Sequence, residues 1–278
     1  ATTPSLGTAS LPLSSESHMC RLVAYDGAPV PLHTCLFGGD HPLYQQSWAP
    51  RELLSGSVNV DGYGLTWAPT EASAAKPLVR LARVEPIWHD PDLPALLGSI
   101  RSHSILAALR NATPGLPVGL ESVLPLRQEG RAFALHGYVP GVRNRHMRAL
   151  RLALRDDWYG RLTGAGDAET LFFRVLQAME DGAGPEEALL GVAEAVEARL
   201  ADGEVAPLTL VLQGPEGVTA LHLCWNGTAN SLYLGRQTPL APHGTLLASE
   251  PLDGSAWEPV PEGSFVRLRG GGAEVLKP

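Results

Sequence analysis

The stretch Asp167–Trp225, DAETLFFRVLQAMEDGAGPEEALLGVAEAVEARLADGEVAPLTLVLQGPEGVTALHLCW, changes its hydrophobic period once, and that change decides the fold class. Leu171, Phe172, Val175 and Met179 recur at helical spacing, and Asp167 and Glu169 sit in the first turn, where negative charge suits the helix dipole, so a helix is expected over Asp167–Asp181. Leu189, Val192, Val196 and Leu200 mark a second helix over Pro185–Ala201, with proline at its start and Asp202-Gly203 at its end. The pattern then turns to strands: Leu208–Gln213 and Val218–Trp225 flank Gly214-Pro215-Glu216-Gly217, whose turn chemistry reads as a hairpin.

Working outward, strand-like runs precede the helices at Arg21–Tyr25, Gly62–Trp67, Ile105–Arg110 and Arg131–Val139. Further runs follow the hairpin at Ser231–Gly235, Thr245–Ala248 and Ser264–Arg269. Pro69–Pro77 reads as a loop, and Gly270-Gly271-Gly272 as a turn, because no helix with a lysine follows to make it a phosphate cradle. Strands at both ends with helices between them predict an α+β domain of antiparallel sheets covered by helices, without the βαβ alternation of a dinucleotide-binding fold.

The 21 Lys and Arg against 29 Asp and Glu give a net charge of −8, and the densest basic stretch is only Arg143–Arg155, which argues against a nucleic-acid partner. Every apolar run is broken well short of a membrane span. The three cysteines, Cys20, Cys35 and Cys224, show neither a disulfide framework nor paired ligand spacing, so a reducing, cytoplasmic setting is expected and no metal or other cofactor is called for. The histidines show no HExxH-like spacing and read as loop or packing residues, and the six tryptophans read as core or site-wall packing. Ala1–Met19 lacks the basic start and apolar stretch of a secretory signal. It reads as a leader or tag remnant, a mis-called start or a prosegment, ahead of a single domain over 20–278.

All three readings of the leader put Cys20 at a boundary. A cysteine at a mature N-terminus carries its own base, because the free α-amino group, with a pKa near ~8, takes the thiol proton directly or through water. The bland alternative is a small buried residue after an initiator methionine.

Several segments bear on that choice together. Met19-Cys20-Arg21, Gln45-Gln46-Ser47-Trp48-Ala49-Pro50-Arg51 and Asn59-Val60-Asp61-Gly62-Tyr63-Gly64 resemble the early motifs of class II glutamine amidotransferases, whose catalytic domain is an N-terminal nucleophile hydrolase. Arg101-Ser102-His103 through Arg110-Asn111-Ala112-Thr113-Pro114-Gly115, then Asp167-Ala168-Glu169 and Ala248-Ser249-Glu250-Pro251, continue the resemblance in order over nearly the whole chain after the leader. The pattern is most similar to the branch typified by the ergothioneine-pathway γ-glutamyl amidohydrolase. The resemblance implies a four-layer αββα sandwich and hydrolysis of the γ-amide of glutamine or of a γ-glutamyl conjugate. It makes Cys20 the nucleophile that forms a γ-glutamyl thioester, Arg110 the bidentate partner of the substrate α-carboxylate, Asp167 the partner of its α-ammonium, and Thr113 a further hydrogen-bonding group. The implied chemistry uses a small-molecule substrate and no cofactor. Because nothing remains for a synthetase domain, any ammonia acceptor would be a separate protein, unless the γ-glutamyl compound is itself the substrate.

One segment departs from the family. There a His-Asn-Gly run ends a strand and supplies the Asn amide and the Gly N–H to the oxyanion, whereas residues 135–139 here are Leu135-His136-Gly137-Tyr138-Val139. Either Gly137 takes the place of Asn and Tyr138 that of Gly, or one residue is deleted and Gly137 keeps the backbone donor. Loss of one such side-chain donor costs about 10²–10³ in rate. The competing function is therefore a binding or regulatory protein that keeps Arg110 and Asp167 and has lost efficient turnover.

Overall fold

A computed structural model of the protein describes residues 20–52, 58–69, 78–111 and 119–277. The leader over 1–19, the Pro69–Pro77 loop beyond its first residue, and Thr113 lie outside the described residues.

Strand β1 (Arg21–Pro31) is the axis of the molecule. Leu22 and Ala24 point into one hydrophobic core, and Val23 and Tyr25 into another. A strand with both faces buried reads as a continuous apolar run, and its neighbour β4 (Arg101–Leu109) repeats the division, with Leu106 and Ala108 on one side and Ile105, Ala107 and Leu109 on the other. Beyond β4 lie β2 (Tyr63–Trp67) and β3 (Val79–Arg83). Beyond β1 lie β10 (Gly244–Ala248), β9 (Tyr233–Arg236) and the two-residue β11 (Glu258–Pro259). Among the described residues this makes a seven-stranded sheet in the order β11-β9-β10-β1-β4-β2-β3, every pair antiparallel.

Among the described residues the second sheet has six strands: β5 (Leu126–Gln128), β6 (Arg131–Gly137), β7 (Ala206–Gly214), β8 (Gly217–Trp225), β12 (Ser264–Arg269) and β13 (Gly272–Leu276), in the order β13-β12-β8-β7-β6-β5. The β7–β8 hairpin closes where the sequence places it, with Gly214 opposite Gly217. Gly217 has φ of 112°, and a Cβ there would stand 2.2 Å from the Leu268 carbonyl oxygen. The glycine turn near the C-terminus is shorter than the sequence suggests: Gly270 and Gly271 turn with positive φ, and Gly272 already pairs with Arg269.

The sheets stack face to face. Gln213 on β7 reaches across, accepting from Thr66 Oγ1 at 2.7 Å and donating to Ser104 Oγ at 3.0 Å, so this polar group between the sheets is satisfied. Helices α1 (His33–Phe37), α2 (Leu43–Gln46) and α3 (Leu93–Ser99) cover the outer face of the first sheet through Cys35, Leu36, Leu43, Leu93 and Leu97. After α4 (Met147–Arg151) and α5 (Asp156–Tyr159), α6 (Asp167–Glu180) and α7 (Pro185–Glu197) cover the outer face of the second sheet. Phe172 of α6 stacks on Phe133 of β6, ring centroids 5.4 Å apart and 7° from parallel. The layers are thus helix, sheet, sheet, helix, the α+β sandwich expected. No helix among the described residues is long and apolar enough to cross a membrane.

Candidate active site

Register builds the site. In the antiparallel β1–β4 pair Arg21 faces Leu109, so Cys20, one residue before β1, and Arg110, one residue after β4, emerge side by side at the same edge. The neighbouring strand locks this end: Arg110 N–H donates to Gly62 O at 2.8 Å, and Asp61 N–H to Arg110 O at 3.3 Å. From the second sheet, β6 ends at Gly137, and α6 begins at Asp167 against it. Asp167 Oδ2 accepts from Val139 N–H at 3.2 Å, and its Oδ1 from Ala168 N–H at 2.9 Å. That contact ends β6 at Gly137, two residues earlier than the sequence suggests. Cys20, Arg110, Asn111, Leu135, Gly137 and Asp167 together line one small pocket.

The electrostatics are those of a closed, polar cleft. Burial pushes the Cys20 thiol up; the Asn111 backbone and the Arg110 charge pull it down, while Asp167 and Asp61 add to the rise. Burial likewise raises the Asp167 carboxyl, against the Val139 and Ala168 N–H groups and Arg110. Asp167 is only 7% exposed, so it does not face outward as a simple helix-start charge does; it closes the pocket wall. Arg110 is 6% exposed, and its Nη1 has no hydrogen-bond partner, an unmet cationic donor in the wall of the same pocket.

Gly137 lines the pocket, and its conformation bears on the missing asparagine. With φ of 145°, a Cβ at this position would stand 1.8 Å from Pro207 O, so no asparagine fits residue 137 on this backbone. Tyr138 N–H donates to Pro207 O at 3.2 Å and is already engaged. Of the two alignments open from the sequence, the geometry favours the deletion, with Gly137 in the glycine's place.

Some pocket residues escaped the sequence reading. Glu169, read as a first-turn charge, is buried and lines the pocket, accepting from Thr163 N–H and Gly164 N–H at 2.8 and 2.9 Å. Asn111 lay inside a quoted motif without a role. Behind the nucleophile, Arg21 Nη2 lies 2.9 Å from Glu250 Oε1, and His41 Nε2 is 2.8 Å from Glu250 Oε2. Glu250 also accepts from the backbone N–H groups of Arg51 and Glu52, at 3.0 and 2.9 Å, and so clips that loop beside residue 21. Arg21, Arg51 and Glu250 each lie in a motif quoted above, without a role assigned there. His136 and His222 are buried in the sheet interface, and His222 Nδ1 lies 2.9 Å from Thr209 Oγ1. Two of the tryptophans do meet: Trp48 and Trp88 lie edge to face at 5.8 Å, at the end of an aromatic run from Phe37 through Tyr44.

Glu250 yields a prediction about acid stability. Burial raises its carboxyl, but Arg21, the Arg51 N–H, His41 and the Glu52 N–H outweigh this and hold it below the ordinary 4.5. A carboxylate with a depressed pKa contributes stability above its unfolded value and loses it as pH falls through the folded one. Denaturant midpoints are therefore expected to drop as pH falls below about 4.5, and Glu250→Gln to flatten that acid limb. An unchanged limb in the variant would assign it to other carboxylates.

Comparison with known proteins places this geometry. No family model matches the chain. Over 253 residues it is 28% identical to the γ-glutamyl-hercynylcysteine sulfoxide hydrolase of Mycolicibacterium smegmatis, covering 90% of this chain and 96% of that protein. The protein of the same name from Mycobacterium tuberculosis is 32% identical over 121 residues, 44% of this chain and 50% of the relative. Among solved structures, a glutamine aminotransferase class-II domain protein from Silicibacter pomeroyi superposes with a TM-score of 0.67 at 21% identity, covering 93% of this chain and 99% of that one. Glutamine phosphoribosylpyrophosphate amidotransferase from B. subtilis superposes with a TM-score of 0.63 at 12% identity, over 93% of this chain and 49% of that one. The resemblance carried by the sequence motifs is thus borne out, and the chain has the α+β fold of class II glutamine amidotransferase domains.

Proposed function

We propose that the protein is an amidohydrolase that releases glutamate from a γ-glutamyl amide, with residues 20–278 as one catalytic domain. The observation that carries this is the convergence of Cys20, Arg110 and Asp167 on one pocket from β1, β4 and α6. Homology over nearly the full length of a γ-glutamyl hydrolase supports the reaction class. In this reading Arg110 binds the α-carboxylate and Asp167 the α-ammonium, which directs the γ-carbonyl toward Cys20. With Cys20 as first residue, its amine takes the thiol proton, and the thiolate adds to the carbonyl carbon. The oxyanion is held by the backbone at Gly137. Collapse breaks the C–N bond, and the ammonium returns its proton to the departing amine. Water then cleaves the γ-glutamyl thioester, which gives glutamate and restores the thiol.

The favoured substrate is a γ-glutamyl-cysteine conjugate of the kind named for the full-length relative, with glutamine second. A separate ammonia acceptor enters only if glutamine is the substrate. The test is glutamate release from each compound by protein that starts at Cys20. Faster release from the conjugate is expected, and release from neither would overturn the proposal.

A further inference from the structure

Leu135 and Gly137 face the pocket; His136, between them, points the other way, as alternation along a strand requires. Its imidazole is completely buried between the sheets, within electrostatic reach of the Arg21 guanidinium and of the backbone of Cys20 and of Ser231. Neither ring nitrogen completes a hydrogen bond there. A buried imidazole without a partner costs stability unless something holds it in place. Burial first, and the Arg21 charge second, lower its pKa to about 3, so at neutral pH the ring is uncharged and has one N–H to place.

The surrounding contacts tie three segments together at this point. Asn230 is buried, and its Nδ2 donates to the His136 carbonyl at 3.2 Å. Next to it, Ser231 Oγ donates to the Ser249 carbonyl at 2.7 Å, and Ser249 Oγ lies 3.2 Å from Leu22 N on β1. The end of β6, the start of β1 and residues 230–231 therefore meet behind Cys20, on the side away from the substrate.

We propose that His136 is a positioning residue: its ring, buried behind the Cys20 backbone, and Gly137, the next residue on the same strand, together fix the spacing between nucleophile and oxyanion donor. The inference rests on the amidohydrolase reading for its kinetic arm. With no side-chain amide at residue 137, the alignment of the backbone there carries more of the oxyanion stabilisation, and a displacement of about 1 Å can cost on the order of 10² in rate.

The experiment compares wild type, His136→Leu, His136→Gln and Asn230→Ala, all starting at Cys20. His136→Leu is expected to lower kcat about 10- to 100-fold with KM within about twofold. Glutamine keeps an N–H and is expected to recover kcat to within about threefold of wild type, and Asn230→Ala to lose about three- to tenfold. Alkylation of Cys20 by iodoacetamide, followed by mass, reads the same geometry without substrate. The Leu variant is expected to react at least about threefold faster at Cys20 with Cys35 and Cys224 unchanged, and the Gln variant to match wild type. Wild-type kcat in the Leu variant, equal losses in the Leu and Gln variants, or equal alkylation rates throughout would overturn the proposal. If wild type releases no glutamate, the amidohydrolase reading fails, and the alkylation rates still decide the role of His136.

Discussion

Replacing Cys20 by Ala is expected to lower glutamate release by about 10⁴-fold or more in a chain that starts at residue 20, because the substitution removes the atom that forms the covalent intermediate. Ligand affinity should survive: Arg110 and Asp167 are anchored by β4 and α6, and neither depends on the Cys20 side chain for its backbone hydrogen bonds. A glutamate titration followed by calorimetry should therefore give a Kd within about threefold of wild type. The pairing of lost turnover with kept affinity separates the enzyme from a ligand-binding relative, which would show no turnover to lose. The same assay applies to a chain with Met19 still attached, whose Cys20 nitrogen is an amide and no base at neutral pH. That form is expected to be inactive, and equal turnover with the leader intact would sink the single-residue nucleophile and base.

Arg110→Met should divide activity from stability. A buried charge pair broken on one side costs about 2–5 kcal/mol of binding, or about 30- to 4,000-fold in kcat/KM. The loss is expected mainly in KM if the guanidinium holds the α-carboxylate in the ground state as well as in the transition state. Stability should move the other way. In the free protein Arg110 Nη1 is buried without a partner, so a neutral side chain of similar length removes an uncompensated cost. Thermal unfolding is expected at an unchanged or higher temperature. A large drop in Tm with unchanged KM would make Arg110 a structural residue.

Much of this was legible in the chain because the decisive segments are either long and periodic or buried on both faces. Residues 167–181 show their helix through Leu171, Phe172, Val175 and Met179, and the helix found, Asp167–Glu180, differs by one residue. The strand over Ile105–Arg110 was legible as an apolar run ending in a charge, although β4 starts earlier at Arg101, where exposed and buried residues alternate. Helices α1, α2 and α3 were invisible because four to seven residues span only one or two turns, too few for an apolar face to recur. At the site, motif resemblance pointed to Cys20, Arg110 and Asp167. Their approach depends on a pairing register, Arg21 with Leu109, that no local pattern encodes. The Glu250 clip was hidden for the same reason, since its partners Arg21, His41, Arg51 and Glu52 come from distant segments.

The contact between Gly137 and Pro207 also limits the substitutions open to this protein. The asparagine of class II amidotransferases cannot be installed by substitution at residue 137, because any Cβ there meets the Pro207 oxygen at 1.8 Å. Insertion of a codon after His136 would shift the strand by one and swap its two faces unless a bulge absorbed the extra residue. Gains in rate are easier to reach by tuning residues around the existing glycine than by adding that asparagine.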